Sequence, residues 1–278
     1  MQSKFEKHIS VVESQQSVLE CLHENVELSK QKIKQVMQNG AVWLETEHGI
    51  TRIRRAKKTV HQGEVVHLYY NLEIQDKKPQ IAELIADEGD YSIWNKPSGM
   101  YSQGSKWGDH CSIYRWAEQH LKPERPAFIV HRLDRAAHGL MILAHKKSVA
   151  TQFSNLFAKN KIYKQYSAVV EGQMLGYPLP FEINNKLDDK VAISEIISLT
   201  LDEASNTTKV GLVIKTGRKH QIRQHLASMG FPIVGDRLYG AKNIESDLQL
   251  ASVCLKFICP VTAQQKEYYL NDNETLRF

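Results

Sequence analysis

The stretch His131-Arg132-Leu133-Asp134-Arg135-Ala136-Ala137-His138-Gly139-Leu140 lies between two apolar runs, and the rest of the chain can be placed around it. The run Phe128-Ile129-Val130 precedes the stretch. The run Leu140-Met141-Ile142-Leu143-Ala144 begins at its last residue and continues beyond it. Short apolar runs of this kind are typical of buried strands. If the first strand stays extended to Asp134, side chains alternate, so Arg132 and Asp134 lie on the same side as Phe128 and Val130. The sequence thus predicts two buried strands that hold a charged loop, an arrangement that positions reactive groups.

Arg132 and Asp134 alone allow other interpretations. Most charged pairs at strand ends are structural ion pairs that do no chemistry. The catalytic loop of protein kinases contains H-R-D, but here Leu133 intervenes, and the chain has neither a glycine-rich loop nor D-F-G. The kinase interpretation is therefore excluded, and the choice between structure and chemistry depends on the remaining motifs.

Composition indicates a globular protein with a mild basic excess. The 278 residues allow one large domain or one domain plus a small module, and a hydrophobic content of 42% suffices for a core. The net charge of +5 is compatible with an RNA partner without requiring one. No apolar run approaches membrane-spanning length, and the first residues lack a signal-peptide core. We expect a soluble, cytoplasmic protein.

Metal and disulfide sites are not expected. The four cysteines are scattered and form no C-x-x-C motif, which argues against structural zinc and a disulfide framework. His220 and His225 are five residues apart and therefore lie on different faces of a helix, unlike the histidines of an H-x-x-x-H zinc site.

The N-terminal part reads as a small helix-helix-strand-turn-strand module. Ser29 is a good N-cap for a helix over Lys30–Met37, which ends at Asn39-Gly40. Strands are expected at Ala41–Leu44 and Val65–Tyr70. The segment between them is basic and is either a solvated face or a phosphate-binding one; its cations are Arg52, Arg54, Arg55, Lys57 and Lys58.

This module, over roughly residues 15–70, resembles the small RNA-binding module shared by a ribosomal small-subunit protein and many RNA modifiers. The resemblance rests on Leu28-Ser29-Lys30, Ile33–Met37, Gly40-Ala41-Val42 and Val60…Gly63-Glu64-Val65-Val66. Lys30 replaces the usual Arg, and Trp43-Leu44-Glu45 replaces V-N-G. Lysine lacks the bidentate fork of arginine, so we expect reduced RNA affinity.

Residues 71–82 are expected to form a linker, since they are polar and contain Pro79. The segments expected beyond it are a strand and turn at Tyr91–Gly99, a helix at 109–121, a helix capped by Ser148, a strand at Tyr163–Val170, a strand pair within Val191–Thr200, a strand at Val210–Lys215 and a helix at Lys219–Met229. Arg218, Lys219, His220 and Arg223 cluster at the start of the last helix, where backbone N–H groups already favour anions.

Five segments in this order resemble the RluA-type pseudouridine synthase family over roughly residues 83–260. They are Asn95-Lys96-Pro97-Ser98-Gly99, His131-Arg132-Leu133-Asp134 with Gly139-Leu140, Lys164-Gln165-Tyr166 with Ala168 and Gly172, Thr216–Leu226, and Pro232–Gly240. Two segments depart from the family pattern: Ala137-His138 stands where Thr-Ser is common, and Leu250-Ala251-Ser252 stands where Leu-His-Ala is common.

The resemblance implies an α+β fold in which a mixed, largely antiparallel sheet is split by a basic catalytic cleft, with helices on its outer faces. The expected division is an RNA-binding module at 1–70, a linker at 71–82 and a catalytic domain at 83–278.

The resemblance also implies roles for individual residues. Asp134 would be the nucleophile or the stabiliser of a glycosyl cation, Arg223 would keep it ionised, and Tyr166 would stack on the uracil and help to remove a proton later. Arg132 matches the residue that fills the space vacated by the flipped base. The other residues expected to contact the RNA are Lys96, Lys164, Arg218, His220, Arg52, Arg54 and Arg55. The isomerisation is redox-neutral, so no cofactor is expected.

Two further functions stay open at this stage. One is an RNA-binding or RNA-folding protein that has lost catalysis and uses the same cleft, although Asp134, Tyr166 and Arg223 favour an enzyme. A carbohydrate hydrolase would need a second carboxylate, and Asp236, the nearest candidate, matches a structural position of the family. The expected substrate is structured RNA, ribosomal RNA in preference to transfer RNA, and the expected state is a monomer.

Overall fold

The computed structural model describes residues 2–12, 16–240 and 246–271, so the predicted module and catalytic domain each include short stretches outside the described residues. The chain forms two compact units: unit 1 is Met1–Gln80 with Gln103–Trp116, and unit 2 is Ile81–Ser102 with Ala117–Phe278. This differs from the predicted continuous boundary at 71–82, because residues 103–116 return to unit 1. Asp109 in that segment pairs with Arg52 and Arg54, a contact between residues far apart in sequence.

Unit 1 is a four-stranded antiparallel sheet with helices. Its elements are β1 (Lys4–Ser10), α1 (Val18–Asn25), α2 (Lys30–Gln38), β2 (Val42–Thr46), β3 (Gly49–Arg52), β4 (Val65–Asn71) and α3 (Leu72–Gln75). The strand order is β1-β4-β2-β3. The predicted helix-helix-strand-turn-strand order is present, and β1 and α3 add to it.

Local sequence accounts for the helices of unit 1. The hydroxyl of Ser29 accepts a hydrogen bond from the Lys32 backbone N–H at 3.2 Å, as expected of an N-cap. Gly40, with φ of +78°, ends α2 in the left-handed conformation that glycine adopts without strain. Strand β1 was not predicted from the sequence, because its alternation of apolar and polar residues is weak. Only Ile9 of its seven residues is buried.

Unit 2 contains the remaining elements. They are β5 (Glu83–Asp87), β6 (Tyr91–Lys96), α4 (Ile113–His120), β7 (Phe128–Ile129), β8 (His138–Ala144), α5 (Lys147–Ala158), β9 (Tyr163–Glu171), β10 (Phe181–Leu187), β11 (Lys190–Asp202), β12 (Thr207–Ile214), α6 (Gln221–Ser228), β13 (Leu250–Ile258) and β14 (Gln265–Tyr269). Helix α4 begins in the segment assigned to unit 1.

The sheet of unit 2 has ten strands and is largely antiparallel, which confirms the predicted α+β class. Eight strands follow the order β10-β11-β12-β9-β13-β8-β6-β5, with β14 on β13 and β7 on β8. Strands β8 and β13 pair in parallel through two register pairs, at His138 and Gly139. A Cβ on Gly139 would collide with the Ser252 backbone. Glycine at this position therefore allows the two halves of the sheet to meet.

Three local predictions were wrong. Strand β7 ends at Ile129, so the chain is not extended to Asp134. Ser148 lies inside α5, whose N-cap is Lys146 with no side-chain hydrogen bond. Residues 191–200 belong to the single long strand β11, which pairs with β10 and β12 on its two sides. In each case pairing or packing with distant residues, absent from a local pattern, sets the element.

Candidate active site

The loop over residues 130–137 joins β7 to β8 and carries the charged pair identified in the sequence. Leu133 is buried, Arg132 is exposed and Asp134 is partly exposed. Although the backbone is not a continuous strand here, burial of Leu133 leaves the side chains on either side of it facing away from the core. Arg132 and Asp134 line the same cavity, although the extended strand expected to place them on one side ends at Ile129.

Lys96 supports this loop from below. It is fully buried, and its Nζ donates to the carbonyl oxygens of Pro97, Met100 and Ala137 at 2.9, 3.0 and 2.7 Å. Burial lowers the pKa of Lys96 to about 7, while the charge of Asp134 opposes the shift. The expectation that Lys96 contacts the substrate does not fit this burial, because its ammonium faces carbonyl oxygens of the protein.

Two serines hold the same loop and were not singled out in the sequence. Ser98 Oγ donates to the carbonyl oxygen of Ala136 at 2.7 Å. Ser102 Oγ donates to the carbonyl oxygen of Leu133 at 2.6 Å and accepts a hydrogen bond from the backbone N–H of Leu133 at 3.1 Å. The segment after β6 therefore holds the loop in place through hydrogen bonds to its backbone. In the sequence, the Asn95–Gly99 motif was the feature that could have indicated this support.

Arg223 on α6 bridges two carboxylates. Its Nε and one Nη donate to Asp236 at 2.7 Å each, and its other Nη donates to Asp134 Oδ2 at 3.2 Å. Asp236 also accepts from the backbone N–H groups of Leu238 and Tyr239. Burial raises the pKa of Asp236, but Arg223 and the backbone donors outweigh it, so the pKa lies below its ordinary value. Asp236 thus fixes the guanidinium that faces Asp134.

His220 lies on the other side of Asp134. It precedes α6 with φ of +54°, and its Nε2 is 3.7 Å from Asp134 Oδ1. Its Nδ1 is 3.1 Å from the Tyr239 hydroxyl. Burial lowers the pKa of His220, with Asp134 opposing, which favours the neutral imidazole in the absence of a bound anion.

Tyr166 and Lys164 project from the same face of β9, because they are two residues apart in a strand. Tyr166 is 7% exposed and Lys164 is 6% exposed. Burial raises the pKa of the Tyr166 phenol and lowers the pKa of the Lys164 ammonium. Both line the cavity that Asp134 enters.

Two adjoining cavities meet at Asp134. One of about 130 Å³ is bounded by Asp134, Tyr166 and Arg223, and the other, of about 890 Å³, extends along Arg132, Lys164 and Lys219. Arg218 also lines both cavities, and its Nε donates to the Val191 carbonyl at 3.0 Å. The structure therefore brings together the predicted residues of unit 2 except the buried Lys96. The site combines one reachable carboxylate with a cluster of cations.

The predicted RNA contacts of unit 1 are in a different situation. Arg52 and Arg54 both pair with the buried carboxylate of Asp109, and Arg52 also donates to the Tyr114 hydroxyl at 2.8 Å. Arg55 is exposed. Contact of these three arginines with phosphate stays a prediction. Because Arg52 and Arg54 are paired with Asp109, Arg55 is the most accessible of the three to RNA.

The chain resembles RNA pseudouridine synthases in sequence and in fold. Residues 90–228, half of the chain, match the family described as RNA pseudouridylate synthase. The chain is 31% identical over 181 residues to tRNA pseudouridine synthase C of Vibrio vulnificus, covering 57% of this chain and 74% of that protein. It is 28% identical over 252 residues to ribosomal large subunit pseudouridine synthase D of Haemophilus influenzae, covering 79% and 76%.

A solved structure agrees on the fold. Human RNA pseudouridylate synthase domain containing 1 superimposes with a TM-score of 0.57 at 19% identity, covering 70% of this chain and 86% of that one. The family match spans the loop of Asp134, strand β9 with Tyr166 and the Arg223 position on α6. The chain therefore belongs to the RNA pseudouridylate synthase family, the enzymes that isomerise uridine to pseudouridine in RNA.

Proposed function

We propose that the chain isomerises uridines of structured RNA with Asp134 as the nucleophile. The observation that carries this proposal is the environment of Asp134. Its carboxylate is 28% exposed and enters a cation-lined cavity, while Arg223, itself fixed by Asp236, holds one of its oxygens. A carboxylate so held is oriented, and its second oxygen can approach a ribose carbon.

The chemistry is an intramolecular transfer. The bond from ribose C1′ to uracil N1 breaks, and the bonding electrons leave with the base. Asp134 either attacks C1′ or stabilises the cation that forms there, as carboxylates do in glycoside hydrolysis. After the base turns, C5 bonds to C1′ and Asp134 is released; the proton lost from C5 balances the one gained at N1. Nothing is oxidised or reduced, so no redox cofactor enters the scheme.

Arg223 and Tyr166 have complementary roles in this proposal. Arg223 stabilises the carboxylate form of Asp134 through a charge-assisted hydrogen bond. Tyr166 stacks on the uracil. Because burial raises its pKa, the phenol is protonated at neutral pH. We assign it stacking in the first half of the reaction; in the second half its hydroxyl relays the C5 proton by passing its own proton to solvent water.

The uridine must leave its helix before it can reach Asp134. Extruding a base costs a few kcal/mol. Arg132 is exposed at the cavity, and we assign it to the space that the base vacates. Arg218 and the neutral or charged His220 then face the ribose-phosphate backbone. Lys96 acts one step away, as a positioning residue for the loop.

The relatives act on different RNAs by name, one on ribosomal and one on transfer RNA. The N-terminal module resembles one that is more often found on synthases acting on large-subunit ribosomal RNA, and we therefore favour that class of RNA. No helix in the described part of the chain is long and apolar enough to cross a membrane. We propose a cytoplasmic monomer that modifies ribosomal RNA, with a transfer RNA stem-loop as the alternative. Mapping pseudouridines in total RNA from cells with and without the gene distinguishes the two.

Asp134→Asn tests the proposal, because the amide preserves shape and removes the nucleophile. The substrate is total RNA from cells that lack the gene, and the measurement is pseudouridine formed per enzyme. We expect activity to vanish while the melting curve and most of the RNA affinity are retained. The control is Asp189→Asn in the exposed turn between β10 and β11, which should be as active as wild type. Turnover by Asp134→Asn near the wild-type rate would refute the assignment.

A further inference from the structure

Lys164 presents its ammonium to the cavity. Its side chain is largely buried, with 6% of the residue exposed, and among the described residues no carboxylate, carbonyl or hydroxyl oxygen accepts a hydrogen bond from its Nζ. The ring of Phe157 lies beside it, with Nζ 5.9 Å from the ring centroid. The Nζ itself is not enclosed by the protein, so an anion that enters the cavity can replace water around the ammonium.

Lys96 shows what this fold provides for a structural lysine. Its side chain is also buried, but three carbonyl oxygens lie within 3.0 Å of its Nζ. Lys96 is therefore satisfied by the protein, whereas no oxygen of the described residues accepts a hydrogen bond from Lys164. The difference leaves Lys164 available to a ligand in the cavity that it lines.

The cavity beside Lys164 selects an anion. Asp134 is the one carboxylate among the described residues that line the cavity of about 890 Å³. Arg132, Arg218 and Lys219 line it as well. A cavity of this volume lies within the range of roughly 300–1,000 Å³ that is typical of whole ligands. It therefore has room for more of an RNA chain than the reacting base.

The wall behind Lys164 is neutral. His131 stacks on Phe157 with ring centroids 4.4 Å apart, and its Nε2 accepts the Ile142 backbone N–H at 2.9 Å. Burial and the neighbouring Lys164 lower the pKa of His131 to about 3. His131 thus carries no charge at neutral pH, and Lys164 provides the positive charge on this side of the cavity.

Strand geometry sets the distance from Lys164 to the reacting base. Lys164 and Tyr166 are two positions apart in β9 and share a face, so their Cα atoms are about 7 Å apart. If Tyr166 stacks on the target uracil, Lys164 lies one backbone step away from the base. A phosphodiester group of the RNA chain is the anion available there.

We propose that Lys164 binds a phosphodiester group that flanks the target uridine, forming a subsite distinct from the position of the reacting base. The subsite rests on the proposed function, because it takes Tyr166 as the platform for the uracil. Phosphate supplies the missing acceptors in a charge-assisted hydrogen bond. Arg218 and Lys219, in the segment just before α6, line the same cavity and can contact the same backbone.

The test uses uridylyl-(3′→5′)-uridine and its analogue with a neutral methylphosphonate linkage. Wild-type enzyme should bind the natural dinucleotide about tenfold more tightly than the analogue, measured by NMR titration. Lys164→Gln should lose this preference, and the matched variant Lys161→Gln, at an exposed lysine outside the cavity, should keep it. Uridine 5′-monophosphate and uridine 3′-monophosphate then identify which flanking phosphate Lys164 contacts.

The comparison of the two dinucleotides on wild-type enzyme needs no variant to fold. Equal binding of both, or detectable binding of neither, overturns the subsite. Retention of the preference by Lys164→Gln also overturns it. Failure of the proposed function is seen separately, as turnover by Asp134→Asn, which leaves the dinucleotide preference unaffected.

Discussion

Two buried ionic clusters, one in each unit, use the same residue types in opposite ratio. In unit 1, Arg52 and Arg54 converge on Asp109, whose side chain is completely buried. In unit 2, the single Arg223 bridges Asp236, also completely buried, and Asp134, which is 28% exposed.

The ratio of charges decides what each cluster can do. Two guanidinium groups and a tyrosine hydroxyl converge on one oxygen of Asp109, Oδ2, and the side chain is shielded from solvent, while Oδ1 has no hydrogen-bond partner among the described residues. Arg223 gives its bidentate fork to Asp236 and a single longer hydrogen bond to Asp134. A surplus of cations thus makes a structural anchor, whereas a surplus of carboxylates leaves one carboxylate reachable for chemistry.

Breaking the cluster of unit 2 at its centre should have the largest effect. Arg223→Ala leaves Asp236 buried without its cation, which should lower the free energy of unfolding by about 3–5 kcal/mol. Pseudouridine formation should fall roughly 10³-fold, because Asp134 loses the group that orients it and stabilises its charge. Chemical denaturation and single-turnover assays measure the two effects.

The double variant Arg223→Ala with Asp236→Ala separates the loss of stability from the loss of activity. Removing the orphaned carboxylate should restore much of the stability and none of the activity. Recovered turnover in the double variant would mean that Arg223 serves only to neutralise Asp236.

Breaking the cluster of unit 1 should affect stability alone. Asp109→Asn removes the shared anion of Arg52 and Arg54. Because both arginines are partly exposed, the expected loss is smaller, about 2 kcal/mol in the free energy of unfolding. The rate at saturating RNA should be unchanged, since each proposed catalytic residue lies in unit 2.

Asp76→Asn is the matched control, because Asp76 forms an exposed ion pair with Lys32. It should cost less than about 0.5 kcal/mol. A large drop in turnover for Asp109→Asn at full folding would show that this cluster takes part in catalysis.

The third prediction concerns Lys96, whose Nζ hydrogen-bonds to the loop that carries Asp134. Burial lowers the pKa of Lys96 to about 7 from 10.5. Between these values the unfolded chain binds more protons than the folded chain, so the stability attributable to Lys96 rises with pH. From pH 7 to 9 the free energy of unfolding of wild type should rise by up to about 2 kcal/mol relative to Lys96→Met.

Denaturation of both proteins across this pH range provides the measurement. A constant difference between them would indicate that the carbonyl oxygens around Nζ keep Lys96 charged throughout.

The smallest effect is expected for the exposed cations of unit 1. Replacing Arg55, Lys57 and Lys58 by Gln should weaken RNA binding a few-fold per residue. Each lost phosphate contact should flatten the dependence of log affinity on log salt by a slope of about one. Turnover at saturating RNA should survive.

Point substitutions are the appropriate test here, because deletion of residues 1–70 would strip residues 103–116 of their partners in unit 1. Suppose that the exposed Arg55, Lys57 and Lys58 bind RNA and that Arg52 and Arg54, paired with Asp109, do not. The double variant Arg52→Gln with Arg54→Gln should then change the free energy of unfolding more than it changes the dependence of log affinity on log salt. The reverse result would assign phosphate contacts to the paired arginines.

Sequence patterns predicted much of this molecule. The apolar run Leu140–Ala144 is strand β8, Ser29 caps α2, and the alternation in Tyr163–Val170 places Lys164 and Tyr166 on one face. These features depend on neighbours within a few residues, through hydrogen bonding of caps and the two-residue period of a strand. Ordered motifs were sufficient to indicate the family as well.

Local patterns could not predict partnership between distant residues. The sequence predicts RNA contacts for Lys96, Arg52 and Arg54, yet each of these side chains meets oxygen atoms of the protein. Lys164 has the same residue type as Lys96 and comparable residue burial, but no oxygen of the described residues accepts a hydrogen bond from it.

By itself, the sequence predicted most of the strands and the cap at Ser29, since these follow from short-range periodicity and residue chemistry, and the resemblance of its motifs singled out Asp134 as the proposed nucleophile. Only the tertiary structure decided which charges are satisfied and which remain available. That distinction depends on the burial and approach of groups as far apart in the chain as Asp134 and Arg223, because a charge acts on a ligand only where the fold leaves it uncompensated.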